Sequence, residues 1–155
     1  MPARSAGLLL HRRRGHGLEV LIAHMGGPFW ARKDRGAWSI PKGEYADDEE
    51  PLAAALREFA QELGRPAPAG PTLALGEFRQ AGGKRVTVFA RAADFDASVV
   101  HSDHFEMEWP PRSGRRQSFP EIDRAEWVSL DLARTRLVTG QVPALDALAE
   151  SVGGP

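Results

Sequence analysis

Gly43-Glu-Tyr-Ala-Asp-Asp-Glu49-Glu50-Pro51-Leu52-Ala-Ala-Ala-Leu56-Arg57-Glu58-Phe59-Ala60-Gln61-Glu62-Leu63-Gly64 reads as a glycine-led loop that feeds a helix and stops at a second glycine. Asp47 or Asp48 is placed to cap the helix, Glu49 and Glu50 put negative charge in its first turn, and Pro51 is tolerated there. Gly64 supplies the left-handed residue that ends it. Leu52, Leu56, Phe59 and Leu63 recur at steps of four, three and four, so they form one stripe that must face a core. At roughly 100° per residue, Glu58 and Glu62 stack one turn apart on the far side, with Gln61 beside them. Two carboxylates so placed repel by a few tenths of a kcal/mol on a bare helix, a cost that a cation between them removes. Hard oxygen donors of this kind suit Mg²⁺ or Mn²⁺, and Mg²⁺ is commonly shared between a few carboxylates and the phosphates of a substrate.

The spacing Gly43, five residues, Glu49, seven residues, Arg57-Glu58-Phe59-Ala60-Gln61-Glu62-Leu63-Gly64-Arg65 resembles the Nudix box, G-x5-E-x7-R-E-U-x-E-E-x-G-U with U apolar. The departures are Gln61, where the family has the first glutamate of its pair, and Arg65, where it has an apolar residue. The resemblance implies that Glu58 and Glu62 hold a divalent cation with the Gly43 carbonyl, and that Arg57 orients a box glutamate. Glu49 is either a support at the helix start or an N-terminal charge. Gln61 offers a carbonyl oxygen and no charge, so a second cation would be held more weakly. Several Nudix groups draw a further carboxylate from the loop before their last main strand, and here Phe119 to Trp127 offers Glu121, Asp123 and Glu126. Glu121 resembles in position the loop glutamate of diadenosine polyphosphate hydrolases of this superfamily, as ligand or as general base. Trp38-Ser39-Ile40-Pro41-Lys42-Gly43 is similar to the W-x-x-P-K-G segment of members that act on long polyphosphate chains, where the lysine gives a point charge for an extra phosphate. Trp38, Lys42, Arg115 and Arg116 are therefore the expected substrate-facing residues.

At 155 residues, 42% hydrophobic and 26% charged, the chain has the material for one core, and residues 1–155 read as a single domain. A net charge of −1 predicts neither general nucleic-acid binding nor polybasic membrane attachment. No apolar stretch is long enough to span a bilayer and residues 1–5 lack a signal-type segment, so a cytoplasmic protein is the default. The absence of cysteine excludes disulfides, thiolate zinc sites and cysteine nucleophiles. No P-loop, dinucleotide-binding glycine motif or serine-hydrolase elbow is present. Oligomeric state is not legible.

Residues 5–11 and 18–24 read as two strands joined by a turn at 12–17, 38–40 as a third, 73–79 and 85–92 as a hairpin, and 127–130 as the last. Residues 101–120 read as a long polar loop, with His101 and His104 as loop histidines; 131–137 and 142–152 read as helices. Phe29, Trp30 and Trp109 are stacking surfaces or packing residues. These elements, with the family resemblance, predict an α+β fold: a Nudix-type α/β/α sandwich with a mixed sheet and the box loop and helix at its centre. The functional expectation is metal-dependent hydrolysis of a diphosphate linkage in a dinucleoside polyphosphate or nucleoside triphosphate. The alternative is a catalytically weak domain that binds a nucleotide or ADP-ribose as a sensor, for which Gln61 is the main argument.

Overall fold

The computed structural model describes residues 3–15 and 17–153; His16, within the expected turn at 12–17, lies outside them. Two strands open the chain, β1 (Arg4–Arg14) and β2 (Gly17–Met25), followed by the short β3 (Trp38–Ser39) and β4 (Lys42–Glu44) and the helix α1 (Pro51–Leu63). Next come β5 (Thr72–Arg79), β6 (Arg85–Ala92), β7 (His104–Glu108), β8 (Arg116–Pro120), β9 (Ile122–Ser129), and the helices α2 (Leu130–Arg136) and α3 (Val142–Val152).

β1 organises the mixed main sheet. On one side it runs parallel to β6 from Arg4 to His11; on the other it pairs antiparallel with β4 through Ser5 to Gly7 and with β2 through His11 to Arg14. β1 and β2 therefore splay apart, and residues 38–44 fill the wedge between them, with β3 on β2 and β4 on β1. Gly7 permits this close passage, since a Cβ there would sit 3.0 Å from the Pro41 carbonyl oxygen.

Both faces of the sheet are covered, so β1 and β2 read as unbroken apolar runs instead of alternating ones. Leu8, Leu10, Leu21 and Ala23 face α1 in a core with Ala54, Ala55, Phe59 and Leu63. Leu9, Val20 and Ile22 face the opposite way, into a core with Trp38 of β3, Ala133 of α2 and Leu145 and Leu148 of α3. This is the expected α/β/α sandwich.

Local expectations fail at four places. The α1 N-cap is Glu50, with no side-chain capping bond and no acid in the first turn, so neither Asp47 nor Asp48 starts the helix. The buried stripe of α1 is Ala54, Ala55, Phe59 and Leu63, while Leu52 and Leu56 are only partly covered. Most consequentially, residues 104–120 are not a loop: β7 and β8 form a separate two-stranded antiparallel arm, from His104 opposite Pro120 to Glu108 opposite Arg116. β9 also begins at Ile122, well before Trp127, and pairs with β2. Gly64 ends α1 at φ 83°, as expected. Among the described residues, no helix is long and apolar enough to cross a membrane.

Candidate active site

β4 and the outer face of α1 meet at Gly43. A Cβ on that residue would stand 2.0 Å from Cδ of Glu58, so the Glu58 carboxylate lies in a space that only glycine leaves open. One residue earlier, the Lys42 backbone N–H donates to Oε1 of Glu62 at 3.2 Å. The wedge of residues 38–44 thus lays the backbone of β4 across two carboxylates one helical turn apart.

Arg57 braces the same face. Its Nε and Nη2 donate to the two oxygens of Glu49 at 2.9 and 2.8 Å, and its Nη1 donates to Glu58 Oε1 at 2.7 Å. A further contact runs from Nη1 to the Gln61 side-chain oxygen at 3.2 Å. Such forked, charge-assisted bonds fix direction as well as supply energy. Glu49 holds Arg57 more firmly protonated, with Glu58 adding to it, and Arg57 in turn pulls the Glu49 carboxyl below the usual range. Of the two readings open for Glu49, the geometry favours the support: it meets a side chain two turns into the helix and caps nothing.

Glu62 has the opposite electrostatics. Burial pushes its carboxyl up to about 8; the Lys42 amide and charge oppose this, while Glu58 and Glu121 push further upward. Glu121 is the single residue between β8 and β9. It is held through its backbone, its N–H donating to Asp103 O at 2.9 Å and its carbonyl accepting from Gly26 N–H at 2.8 Å. Its side chain is largely exposed, yet lost hydration raises its carboxyl, Asp103 and Glu58 add to the rise, and Lys42 opposes it. Three acids, Glu58, Glu62 and Glu121, therefore share one field with Lys42 at its edge.

The other acids of the 119–127 segment are engaged elsewhere. Asp123 meets Nδ1 of the buried His24 at 2.9 Å, and Glu126 accepts from Arg136 at 3.1 Å. Asp103 was not singled out from sequence because it stands in a stretch that reads as polar loop. Nor was Ser102, whose hydroxyl accepts from the Ile122 N–H at 3.1 Å and pins the backbone beside Glu121.

The expected substrate-facing residues separate. Lys42 lines a cavity of about 770 Å³ together with Met25, Trp30, Ser39, Lys84 and Gln141. Trp38 does not face it: the ring is fully buried in the sheet–helix core, so the tryptophan of this segment anchors the wedge and presents no surface to a ligand. Arg115 and Arg116 lie on the arm, and Arg116 meets Glu106 at 3.5 Å. Gln61 is exposed and turned to Arg57.

The donors suit a hard divalent cation in kind: carboxylates, a backbone carbonyl, and a half-buried acid whose charged form burial disfavours. They are not gathered in advance. Among the described residues no three His, Asp or Glu side chains converge closely enough to hold a metal, and Glu58 is turned to Arg57. A cation would have to draw the carboxylates inward.

The family model for the NUDIX domain matches residues 1–148. Among solved structures, an Ap4A hydrolase of C. elegans in a binary complex is 19% identical at a TM-score of 0.60, covering 97% of this chain and 98% of that one. The NUDIX domain of Shewanella oneidensis NrtR, complexed with ADP ribose, is 15% identical at a TM-score of 0.66, covering 98% and 89%. A Nudix hydrolase of M. smegmatis, RenU, is 23% identical at a TM-score of 0.59, covering 97% and 86%. These likenesses show the fold. No curated protein sequence matches the chain.

Proposed function

We propose that this chain, which belongs to the NUDIX domain family, hydrolyses a diphosphate linkage in a nucleoside diphosphate derivative with the help of Mg²⁺ or Mn²⁺. The observation that carries the reading is Glu62. It stands one turn from Glu58 on α1, accepting the Lys42 N–H at 3.2 Å while Glu58 fills the space that Gly43 leaves open, so β4 lays two carboxylates side by side in a cleft where burial disfavours the charge of Glu62 and a cation would favour it. Glu58, Glu62 and the Gly43 carbonyl would hold the ion. Such an ion neutralises phosphate charge and acidifies water.

The remaining work falls to the chain. Arg57 holds Glu58 against Gly43 by way of the Glu49 fork and does not itself meet substrate. Glu121, with its raised carboxyl and its backbone tied on both sides, takes the proton of the attacking water; the water oxygen bonds to phosphorus and the bridging oxygen leaves with the other phosphate. Lys42 contacts a phosphate beyond the cleaved bond, and the cavity it borders receives the nucleoside. Dinucleoside polyphosphates lead as substrates and nucleoside triphosphates follow.

A panel of dinucleoside polyphosphates, nucleoside triphosphates and ADP-ribose, with and without Mg²⁺ and with products resolved, tests the reading. Cation-dependent release of a mononucleotide is expected, and Glu62→Gln should lower kcat by roughly 10². Tight binding without turnover would instead favour the sensor, a reading supported by Gln61 facing Arg57 in place of the acid pair.

A further inference from the structure

The arm formed by β7 and β8 springs directly from the site. Its two roots are Asp103, just before β7, and Glu121, just after β8, joined by the bond from Glu121 N–H to the Asp103 carbonyl. Five residues per strand carry it about 17 Å outward, at roughly 3.3 Å each. The register assigns its faces. Phe105 stands opposite Phe119, Met107 opposite Gln117, and the Trp109 N–H donates to the Arg115 carbonyl at 2.9 Å, so Trp109 and Arg115 continue the same face. His104, Glu106, Glu108, Arg116 and Ser118 occupy the other.

The direction of the first face is set at the root. Phe105 packs over Gly27, where a Cβ would lie 2.9 Å from the ring. That face therefore looks toward the 26–36 loop, which carries Phe29, 58% exposed, with Lys33 Nζ 3.6 Å above its ring. Phe105, Met107, Trp109 and Phe119 belong to neither core. Both acids of the two strands, Glu106 and Glu108, lie on the outer face, and no ion pair engages the exposed Arg115 among the described residues.

The tip is built, not slack. Glu108 accepts from the N–H groups of Arg112 and Gly114 at 3.1 and 3.0 Å, and the Gln117 side chain donates to the Trp109 carbonyl at 2.6 Å. An outer-face carboxylate thus holds the turn that presents Trp109 and Arg115 inward.

On the reading of the site given above, we propose that the inner face of this arm and the 26–36 loop form a second nucleotide subsite, for the far end of a two-ended polyphosphate. Trp109 stacks on the distal base, and Arg115 pairs with a phosphate one or more positions from the cleaved bond. An acid-free face bearing a partly exposed indole and a free guanidinium is complementary to an anionic chain ending in an aromatic ring. A ligand with one nucleoside has nothing to place there.

The test measures kcat/KM on diadenosine tetraphosphate and on ATP, with Mg²⁺, for the wild-type chain, Trp109→Ala, Arg115→Ala and the outer-face variant Ser118→Ala, with Tm as a folding control. The ratio of dinucleotide to ATP efficiency should fall roughly five- to a hundredfold in Trp109→Ala, the range that one base–aromatic stack supplies. It should fall about tenfold in Arg115→Ala and hold in Ser118→Ala. Equal losses on both compounds, or an unchanged ratio in Trp109→Ala and Arg115→Ala, would overturn the subsite. Should the wild-type chain cleave neither compound, the catalytic reading fails alone, and calorimetric binding of a methylene-bridged diadenosine tetraphosphate decides the arm: weakened binding in both inner-face variants supports it, unchanged binding overturns it.

Discussion

Gly43→Ala isolates the geometry on which the proposed site depends. The new Cβ would stand 2.0 Å from Cδ and 2.1 Å from Oε2 of Glu58, against the roughly 3.4 Å at which carbon contacts become ordinary. The Glu58 carboxylate must therefore retreat by about 1.4 Å or change rotamer. The backbone has no objection: Gly43 does not have a positive φ, and the obstructing atoms are the far end of a flexible side chain. Replacing a glycine where its φ and ψ suit alanine stabilises by about 0.4–1 kcal/mol through the unfolded chain, which offsets a strained Glu58–Arg57 contact. Stability should stay within about 1 kcal/mol of wild type, whereas a misplacement of about 1 Å at a reacting centre lowers rate by roughly 10². Thermal denaturation and Mg²⁺-dependent turnover measure the two quantities on the same sample. The decisive control is Gly43→Ala in a Glu58→Ala background. There the methyl has no carboxylate to displace and should cost nothing further, a strongly non-additive cycle. A loss that persists undiminished in that background, or full activity in Gly43→Ala, would refute the placement of Glu58 in the machinery.

Three other perturbations read the same site. Glu62 has a folded-state carboxyl raised from 4.5 to about 8, so the folded chain holds more protons than the unfolded one between those values, and metal-free stability should fall as pH rises through that window. The slope from Glu62 is at most about 1.4 kcal/mol per pH unit, or about 2–4 °C of Tm per kcal/mol for a chain of this size; Glu121 acts in the same direction, the lowered His11 opposes them below its usual 6.5, and the lowered Glu49 acts only below its usual range, so the difference between wild type and Glu62→Gln is the quantity that reports Glu62. Denaturation in EDTA from pH 5 to 8 should show the decline in wild type and a flatter profile in Glu62→Gln; parallel profiles would contradict the buried acid. Arg57→Lys keeps one positive charge but cannot span both Glu49 oxygens and Glu58, so Mg²⁺ affinity or turnover should drop about 10- to 100-fold, as for other groups that orient a ligand. Gln61→Glu adds a carboxylate beside Arg57, and a lower Mg²⁺ concentration for half-maximal activity is expected; an unchanged or higher one places residue 61 outside the ion's reach.

What was legible in the sequence is what short-range chemistry decides. The C-terminal end of α1 follows from Gly64 alone, and the paired apolar runs of β1 and β2 follow from burial on both faces. The start of α1 was misplaced because Glu49, which reads as a first-turn charge, bonds to Arg57 eight residues away. No local rule distinguishes an acid that caps a helix from one that braces it. The arm was legible in part: Phe105, Met107 and Trp109 alternate with Glu106 and Glu108 at the period of a strand, but the proline- and arginine-rich turn between the strands masked their pairing. Trp38 illustrates the converse. Its motif sets it beside Lys42, and in an extended segment residues four apart share a face, so local spacing puts both toward a ligand; what decides exposure is the wedge between β1 and β2, a tertiary fact.

The same wedge fixes where Glu58 and Glu62 stand without a cation, one helical turn apart and not yet converged. Two constraints hold them. Glu58 is held on one side by the Arg57–Glu49 fork and on the other by the backbone of Gly43, while Glu62 accepts the Lys42 amide, a donor that β4 presents only because β1 fixes it through Ser5 to Gly7. Burial in this cleft is what chiefly raises the Glu62 carboxyl, with Glu58 and Glu121 adding to the rise. On the proposed reading, a cation bound here would favour the ionised form of Glu62 that burial disfavours.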